Sequence, residues 1–396
     1  MKYLLVSPDY PPPFIGGSLV WLYNLIENCP EDFDILTCSL KKGCSEVASP
    51  RHRIFRSRFL VDSVSPGRVG LAATYLYMVL WVFLRSLFVR YEAILVNPGA
   101  LGNSLLILAG RLLGIPVIAT AQGEEITLEL YGRDWKSALK RRLMRWAYPK
   151  ASGFFSVSHF ARRLLIEMKI DPDRIDVIPS CLNPAKAVGF VPKTDRGYKV
   201  LSVGRLIERK GFHLLIEAIR RLKPDLPQLT LTVVGDGPMR PHLEKQISDF
   251  KLEGSVFLRR GLTDAELSRL YQESDLFVLA HFRTELGDTE GCPTVFSEAM
   301  GAGLPLIGGT GGGADTAIIE GKNGFIVDSR DIDQLADRVR RILTDPALAE
   351  SMGQFGMEKL RRDHDPRKAG LALAQHIHRV LRREPATGYQ WELNNR

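Results

Sequence analysis

Short apolar runs punctuated by loops and amphipathic stretches set the plan of the chain. Tyr3 to Ser7, Phe33 to Thr37, Ala93 to Val96 and Val117 to Thr120 read as strands in the first half. Lys199 to Val203, Leu229 to Val234 and Leu276 to Leu279 read the same way in the second. Between them lie helical patterns: Leu19, Leu22, Tyr23 and Ile26 after Gly16 and Gly17, a capped start at Thr263, Asp264 and Glu266, a capped amphipathic run from Asp331 through Ile342, and a basic one over Lys368 to Arg383. Strands alternating with helices predict parallel sheets and an α/β fold. A linker over Phe190 to Tyr198 divides the chain into a domain over 1–191, a second over 192–370, and a terminal helix and tail over 371–396.

The stretch from Leu71 to Leu84 carries no charge over fourteen residues. It is too short for a membrane span and predicts a helix buried on one face of a sheet. Tyr75, Tyr77, Trp81 and Phe83 also suit a membrane interface, so a monotopic reading stays open. Basic clusters occupy the same half: Arg51, Arg53, Arg56 and Arg58, and then Lys136, Lys140, Arg141, Arg142 and Arg145, with Trp135, Leu139, Leu143 and Trp146 expected on the opposite side of that helix.

Composition narrows the class. The chain has 396 residues, 45% hydrophobic and 25% charged, which excludes disorder and leaves room for two domains. Five cysteines without a C-x-x-C pair argue against a disulfide framework or a zinc site and for a reducing cytosol. The start MKYLLVS reads as a strand, not a signal peptide. Net charge is +8: residues 1–191 hold 23 Lys and Arg against 16 Asp and Glu, the remainder 30 against 29. The excess in the first half would attract nucleic acid, an acidic leaflet or an anionic substrate.

The candidate chemistry centres on Glu290 and Glu298, with seven residues between them across a loop-to-helix junction. Pro293 suits the first helical position, predicting a helix over Pro293 to Ala302 entered through Gly291 and Cys292, with Thr294 on the same face as Glu298. Free N–H groups at such a terminus can receive an anion or a sugar hydroxyl. Two carboxylates that hold no metal can accept hydrogen bonds from vicinal hydroxyls. Arg205 and Lys210, just past the strand at Lys199 to Val203, are placed to hold a diphosphate, Arg205 by bidentate hydrogen bonds and Lys210 as a point charge.

The run from Glu290 to Pro305, E-x7-E followed by A-M-x-A-G-x-P, resembles the signature of the retaining glycosyltransferases of family 4. G-R-L-x-x-x-K-G from Gly204 to Gly211 and D-Y-P-P-x-x-x-G-G from Asp9 to Gly17 are similar to further motifs of that family. The resemblance implies the GT-B architecture, two Rossmann-like domains facing each other across a cleft, with the last helix crossing back to the first domain. It implies that Glu290 meets the donor sugar and Glu298 the nucleotide ribose. Gly16 and Gly17 then lie over the diphosphate and acceptor, Gly235 near the nucleotide and Gly261 beside the base. Gln122 stands where the family shows His; it can donate a hydrogen bond but cannot take a proton, and with Glu124 it falls on the acceptor side. Ser180 and Cys181 replace Asn-Gly, and Ala280 and His281 replace Pro-Ser. Phe154 to Ser158, then His159 opening a helix, then Ile175 to Pro179 resemble the family's run of strand, helix and V-I-P, with His159 read as a helix-start residue. The glycine-rich run Gly308 to Gly313 lets backbone crowd a ligand without being a Walker loop.

The D-x-D triplets at Asp32, Asp171, Asp331 and Asp363 read as turns and caps, so no metal is expected and Arg205, Lys210 and a helix terminus supply the positive charge. No cofactor is expected beyond the donor substrate. The resemblance implies hexosyl transfer from a UDP- or GDP-sugar to a glycan or lipid-linked acceptor in cell-envelope or exopolysaccharide synthesis. The cysteine pattern and the chain start place the enzyme in the cytoplasm, and the interfacial aromatic and basic residues of the first domain leave open a peripheral contact with the inner membrane face; no nucleic acid partner is expected. Two alternatives stay open: a nucleotide-sugar epimerase on a similar architecture, and a basic nucleic-acid-binding protein, which would need aromatic residues among its exposed cations.

Overall fold

The computed structural model describes residues 2–11, 17–40, 51–60, 68–97, 99–181 and 197–384. The chain forms two compact α/β units, Met1–Cys181 with Pro366–Arg396, and Leu182–Asp365. The divisions at 181/182 and 365/366 stand beside the 191/192 and 370/371 drawn from sequence. Gly16, Cys44 and residues 190–196 of the expected linker lie outside the described residues.

The first unit is built on strands β1 (Tyr3–Val6), β2 (Phe33–Cys38), β3 (Arg53–Ser57), β4 (Ala93–Val96), β5 (Val117–Ala121), β6 (Gly153–Ser156) and β7 (Ile175–Val177). They form one parallel sheet in the order β3-β2-β1-β4-β5-β6-β7. Helices are α1 (Gly17–Glu27), α2 (Arg68–Ser86), α3 (Gly99–Leu113), α4 (Glu124–Tyr131), α5 (Trp135–Ala147) and α6 (His159–Glu167). A parallel sheet covered on both faces needs strands apolar on both sides, and every residue of β1 and β4 is buried. Right-handed crossovers fix the faces. Moving from β3 to β4 and on to β7 puts α2, α3 and α5 side by side, where Leu4, Val6, Ile94 and Val96 share a core with Met78, Val82, Leu106, Ile107 and Met144. The β1-to-β2 step runs the other way and puts α1 on the opposite face; there Trp21 packs on Phe155, 5.8 Å between rings, and donates its indole N–H to Ile178 O at 3.1 Å.

The second unit comprises β8 (Lys199–Val203), α7 (Phe212–Leu222), β9 (Thr230–Val234), α8 (Arg240–Asp249), β10 (Val256–Arg259), α9 (Asp264–Glu273), β11 (Leu276–Leu279), α10 (Val295–Gly301), β12 (Leu306–Gly309), α11 (Ala314–Ala317), β13 (Gly324–Val327), α12 (Ile332–Thr344) and α13 (Pro346–Asp363). Its parallel sheet runs β10-β9-β8-β11-β12-β13. The capping box at α9 joins Thr263 and Glu266, and Asp331 caps α12 by accepting from Gln334 N–H. The last helix, α14 (Pro366–Arg382), belongs to the first unit, where it packs on α1. Gly370 lets it approach, since a Cβ there would fall 2.1 Å from Asn28 O. His376 and Arg379 of α14 reach the Asp176 carboxylate of β7 at 2.7 and 2.6 Å. Burial raises that carboxyl's pKa, but the two partners outweigh it and hold it below the usual range.

Two expectations gain detail and a third needs correction. Arg51 to Arg58 is not simply a basic cluster: it contains edge strand β3, where Arg56 donates to Cys38 and Pro11 carbonyls and Arg53 stacks on Phe55 at 4.9 Å. The uncharged stretch Leu71 to Leu84 sits inside the longer α2, which buries Thr74, Met78 and Val82 but exposes its other side. On α5 the aromatic residues do not oppose the cations, because Trp135, Leu139 and Trp146 share the exposed surface with Lys136, Arg142 and Arg145. Among the described residues no helix is long and apolar enough to cross a membrane.

Candidate active site

In each sheet the strand order reverses once, between β1 and β4 in the first unit and between β8 and β11 in the second. Loops leaving the carboxyl ends of such neighbours diverge to opposite faces and open a crevice where ligands bind in α/β folds. In the second unit those loops are Gly204–Gly211 and Ala280–Glu290. Backbone bonds join the first to the loop after β9: Leu206 N–H donates to Asp236 O and Met239 N–H to Leu206 O, both at 2.9 Å. Gly235 permits this, because a Cβ there would meet Gly204 O at 2.0 Å. Gly211, left-handed at φ 68°, starts α7 against β11's end; a Cβ would sit 1.8 Å from Ala280 O.

These constraints bring charges together. Glu290 is buried, and both its oxygens are engaged: Arg209 Nε donates to Oε1 at 2.7 Å and Lys210 Nζ to Oε2 at 2.8 Å. Arg209 also donates through Nη1 to Asp288 Oδ1 at 2.5 Å. Burial would push the Glu290 carboxyl up; Lys210 and Arg209 overcome it and hold the pKa at about 2. The two cations expected to hold the diphosphate differ in their commitments. Lys210 is committed to Glu290, whereas Arg205 is exposed and has no ion-pair or side-chain hydrogen-bond partner among the described residues. Arg209, not singled out from sequence, is the second cation on Glu290; its place beside Lys210, one step before Gly211, was the available signal.

Behind Glu290 lies His281, fully buried, with its pKa pushed down to about 4 by desolvation. Its Nδ1 is 3.1 Å from Leu279 O and 3.3 Å from Gly309 N, while Nε2 has no hydrogen-bond partner among the described residues. The glycine run closes over this residue and over the Glu290 backbone. A Cβ at Gly309 would meet His281 O at 1.6 Å, one at Gly312 would meet Glu290 O at 2.5 Å, and Gly313 N–H donates to Glu290 O at 2.9 Å.

The helix carrying Glu298 is shorter than predicted. Phe296 N–H bonds to Pro293 O at 3.2 Å and Ser297 N–H to Thr294 O at 3.0 Å, so a tight turn from Pro293 precedes α10. Gly291, Cys292 and Thr294 are half-buried on that turn, and Pro293 is buried. Glu298 is buried among Phe296, Ala299 and Met300 and accepts from the Tyr271 hydroxyl of α9 at 2.9 Å. Burial, then the Glu298 charge, pushes the Tyr271 phenol far above its usual range. Gly261, exposed and left-handed at φ 67°, follows β10 with open space where a side chain would go.

In the first unit the reversal point carries a polar chain. Asn97, after β4, donates to Ser7 Oγ at 3.3 Å; its Oδ1 accepts from Thr120 Oγ1 at 2.6 Å and Gln122 Nε2 at 3.1 Å. Gln122 N–H donates to Glu125 Oε1 at 2.8 Å, and burial lifts that carboxyl's pKa to about 7. Glu124 is half-buried beside it. Asn97 and Glu125 were missed from sequence; a polar residue directly after an apolar strand was the only cue to Asn97. Gly17 opens α1, with Gly16 outside the described residues.

Residues 189–359 match the family model described as glycosyl transferases group 1, and residues 22–181 that of the glycosyl transferase 4-like domain. The chain belongs to the family 4 type of glycosyltransferases. The GDP-mannose-dependent alpha-(1-6)-phosphatidylinositol monomannoside mannosyltransferase of Mycolicibacterium smegmatis is 33% identical over 177 residues, 44% of this chain and 46% of that protein. The amylovoran biosynthesis glycosyltransferase AmsK of Erwinia amylovora is 28% identical over 240 residues, 59% of this chain and 58% of its own. The chain spans about half the length of the relatives it matches. A solved structure, sucrose-phosphate synthase from Thermosynechococcus elongatus, is 20% identical, covers 97% of this chain and 100% of its own, and superposes with a TM-score of 0.76. The fold is that of the GT-B glycosyltransferases.

In this family 4 chain, Lys210 and Glu290 are in direct contact, with Arg205 at the head of the same loop; Glu298 and its partner Tyr271 form a separate pair. Gln122, Glu124 and Gly17 lie in the other unit. Among the described residues no three His, Cys, Asp or Glu side chains gather as a metal-binding group.

Proposed function

We propose that this chain is a retaining, metal-independent hexosyltransferase. It moves a sugar from a UDP- or GDP-sugar to a glycan or lipid-linked acceptor in cell-envelope or exopolysaccharide synthesis, in the cytoplasm at the inner membrane face. The observation that carries the reading is Arg205, without an ion-pair partner among the described residues, on the same loop as the Arg209 and Lys210 that hold the buried Glu290 at the reversal point of the second sheet. Arg205 and Lys210 take the diphosphate, Glu290 the donor sugar and Glu298 the ribose. Gly235, Gly261 and Gly291 to Thr294 surround the nucleotide, while Gly16, Gly17, Gln122 and Glu124 face diphosphate and acceptor. The names of the matched mannosyltransferase and of AmsK support the donor class and the setting. In same-face substitution the leaving phosphate takes the acceptor hydroxyl's proton as the new glycosidic bond forms and the bond to phosphate breaks. The protein's part is to stabilise charge developing on that phosphate, a role for which fixed cations suffice.

Thermal-shift measurements with UDP-, GDP- and ADP-sugars test the reading. A nucleotide sugar at a hundred times its Kd adds about 2.7 kcal/mol of stability, a readily measured rise in Tm. A chain that no nucleoside diphosphate or nucleotide sugar stabilises would overturn the proposal, as would conversion of the donor to an isomeric free nucleotide sugar.

A further inference from the structure

We propose that the outward surface of α2, α3 and α5 in the first unit docks on an anionic lipid bilayer. This goes beyond the peripheral contact named above by assigning the surface and the lipid class, and it stands independently of the transferase reading.

Every exposed residue of α2 whose side chain is described is apolar. Leu76, Leu80, Phe83 and Leu84 follow helical spacing, and Leu87 and Phe88 continue the stripe past the helix end, Phe88 at 84% exposure and Leu76 at 70%. Next to α2, α3 exposes Leu112; beyond it, α5 exposes Trp135, Leu139 and Trp146. Scattered apolar residues are normal on a protein surface, but a helix whose fully exposed residues, among those described, are all apolar is not.

Charge selects the occupant. Helices α2, α3 and α5 contain no Asp or Glu, yet carry Arg68, Arg85, Arg111, Lys136, Lys140, Arg141, Arg142 and Arg145. Arg111, Arg142 and Arg145 are exposed and without an ion-pair partner among the described residues. Lys136 lies over the Trp135 ring at 5.6 Å, and Lys150 over Trp146 at 4.2 Å. Indole rings interleaved with cations match the headgroup level of a membrane, where ring and stem stay in the apolar layer and the charge reaches phosphate. A second copy fits worse: a two-fold contact through this face would bury the leucines but bring unneutralised cations together. No described helix can span, so the contact is peripheral.

The test sediments the full chain with vesicles of phosphatidylcholine alone and of phosphatidylcholine with phosphatidylglycerol. Wild type should partition onto the anionic vesicles and come off in 1 M salt, where the screening length is about 3 Å. Leu80→Glu and Phe83→Glu should each weaken partition about tenfold or more through lost burial. Arg142→Gln and Arg145→Gln should each weaken it about fivefold on anionic vesicles only. Donor hydrolysis should be unchanged in all four, separating failure here from failure of the transferase reading. No wild-type binding to anionic vesicles, or binding undiminished by all four substitutions, would overturn the proposal. So would a wild-type dimer in light scattering that Leu80→Glu dissolves while vesicle binding is unaffected.

Discussion

Replacing Glu290 tests the cluster at its centre. With the carboxyl held at about 2 against an ordinary 4.5, the ionised form is favoured in the folded state by about 3 kcal/mol. Because the folded pKa lies below the unfolded one, this stabilisation is complete above about pH 4.5 and disappears as pH falls towards 2. Two cations share it. Glu290→Gln keeps one acceptor oxygen but turns an amide donor towards Arg209 or Lys210, so a donor faces a donor. Removing one partner of a buried ion pair costs about 3–5 kcal/mol, and Lys210→Met, which keeps the aliphatic stem, should fall at the lower end because Arg209 remains on Glu290. If the pair acts as one unit, the double variant should lose at least about 1 kcal/mol less than the two single losses combined.

The assay must follow the second unit. The sequence places no Trp within Leu182–Asp365, so fluorescence would not report the second unit. Amide hydrogen exchange in urea, read on peptides covering β8 and β11, reports the strands that carry the cluster. Losses that add to within about 0.5 kcal/mol would refute the coupling and return Glu290 and Lys210 to independent roles.

Arg205→Ala should weaken nucleoside diphosphate binding by about 1.5–3 kcal/mol in calorimetry without changing stability, since Arg205 is exposed and unpaired; unchanged affinity removes it from the phosphate site. Glu298→Gln should weaken the free nucleotide and the full donor alike, by about 1–2 kcal/mol, because both carry the ribose; an effect on the donor alone would contradict that role. Turnover should persist in excess EDTA, and activity abolished by chelation and restored by Mg²⁺ or Mn²⁺ would count against a metal-free site. His281, at about 4 when folded, stays neutral while the unfolded chain takes up a proton, so stability is complete above about pH 6.5 and falls by about 3 kcal/mol towards pH 4; a His281→Gln variant should lack that slope in urea unfolding followed over the same range.

What could be read from sequence was whatever a short window contains. The apolar runs at 93–96, 199–203 and 276–279 are strands with the bounds drawn for them, because a buried parallel strand is apolar on both sides and stands out as a block. Strand β3 hid because R-I-F-R-S is an edge whose arginines bond carbonyls and stack, so it reads as charge. Helix α13 hid behind Gly353 and Gly356, which weaken a helical pattern; Gly353 is there for approach, as a Cβ would fall 2.1 Å from Gly303 O. In the site, the spacing of Glu290 and Glu298 was legible but not what each touches. Tyr271 sits 27 positions before Glu298, and Arg209 sits 81 before Glu290. Those pairings are made by the order of strands in the sheet, which no local window holds.

The cluster also revises how the charge at this site is supplied. Arg209 and Lys210 face Asp288 and Glu290, so the four are formally balanced, while Arg205 and Glu208 on the first loop and Arg283 and Glu285 on the second add one charge of each sign per loop. Balance does not exhaust capacity. A carboxylate offers about four acceptor positions and an ammonium three donors, so Glu290 and Lys210 each keep some in reserve after meeting one another. In the proposed role, Glu290 can take sugar hydroxyls without releasing Lys210, and Lys210 can turn a second N–H to phosphate without leaving Glu290. The pair then holds sugar and diphosphate at a fixed separation set by a single 2.8 Å contact, with its cations oriented before any charge develops on the leaving phosphate. Arg205 differs in kind: it is free until the donor arrives, so its contribution should appear in donor affinity, whereas that of the Glu290–Lys210 pair should appear in stability and in the rate of transfer.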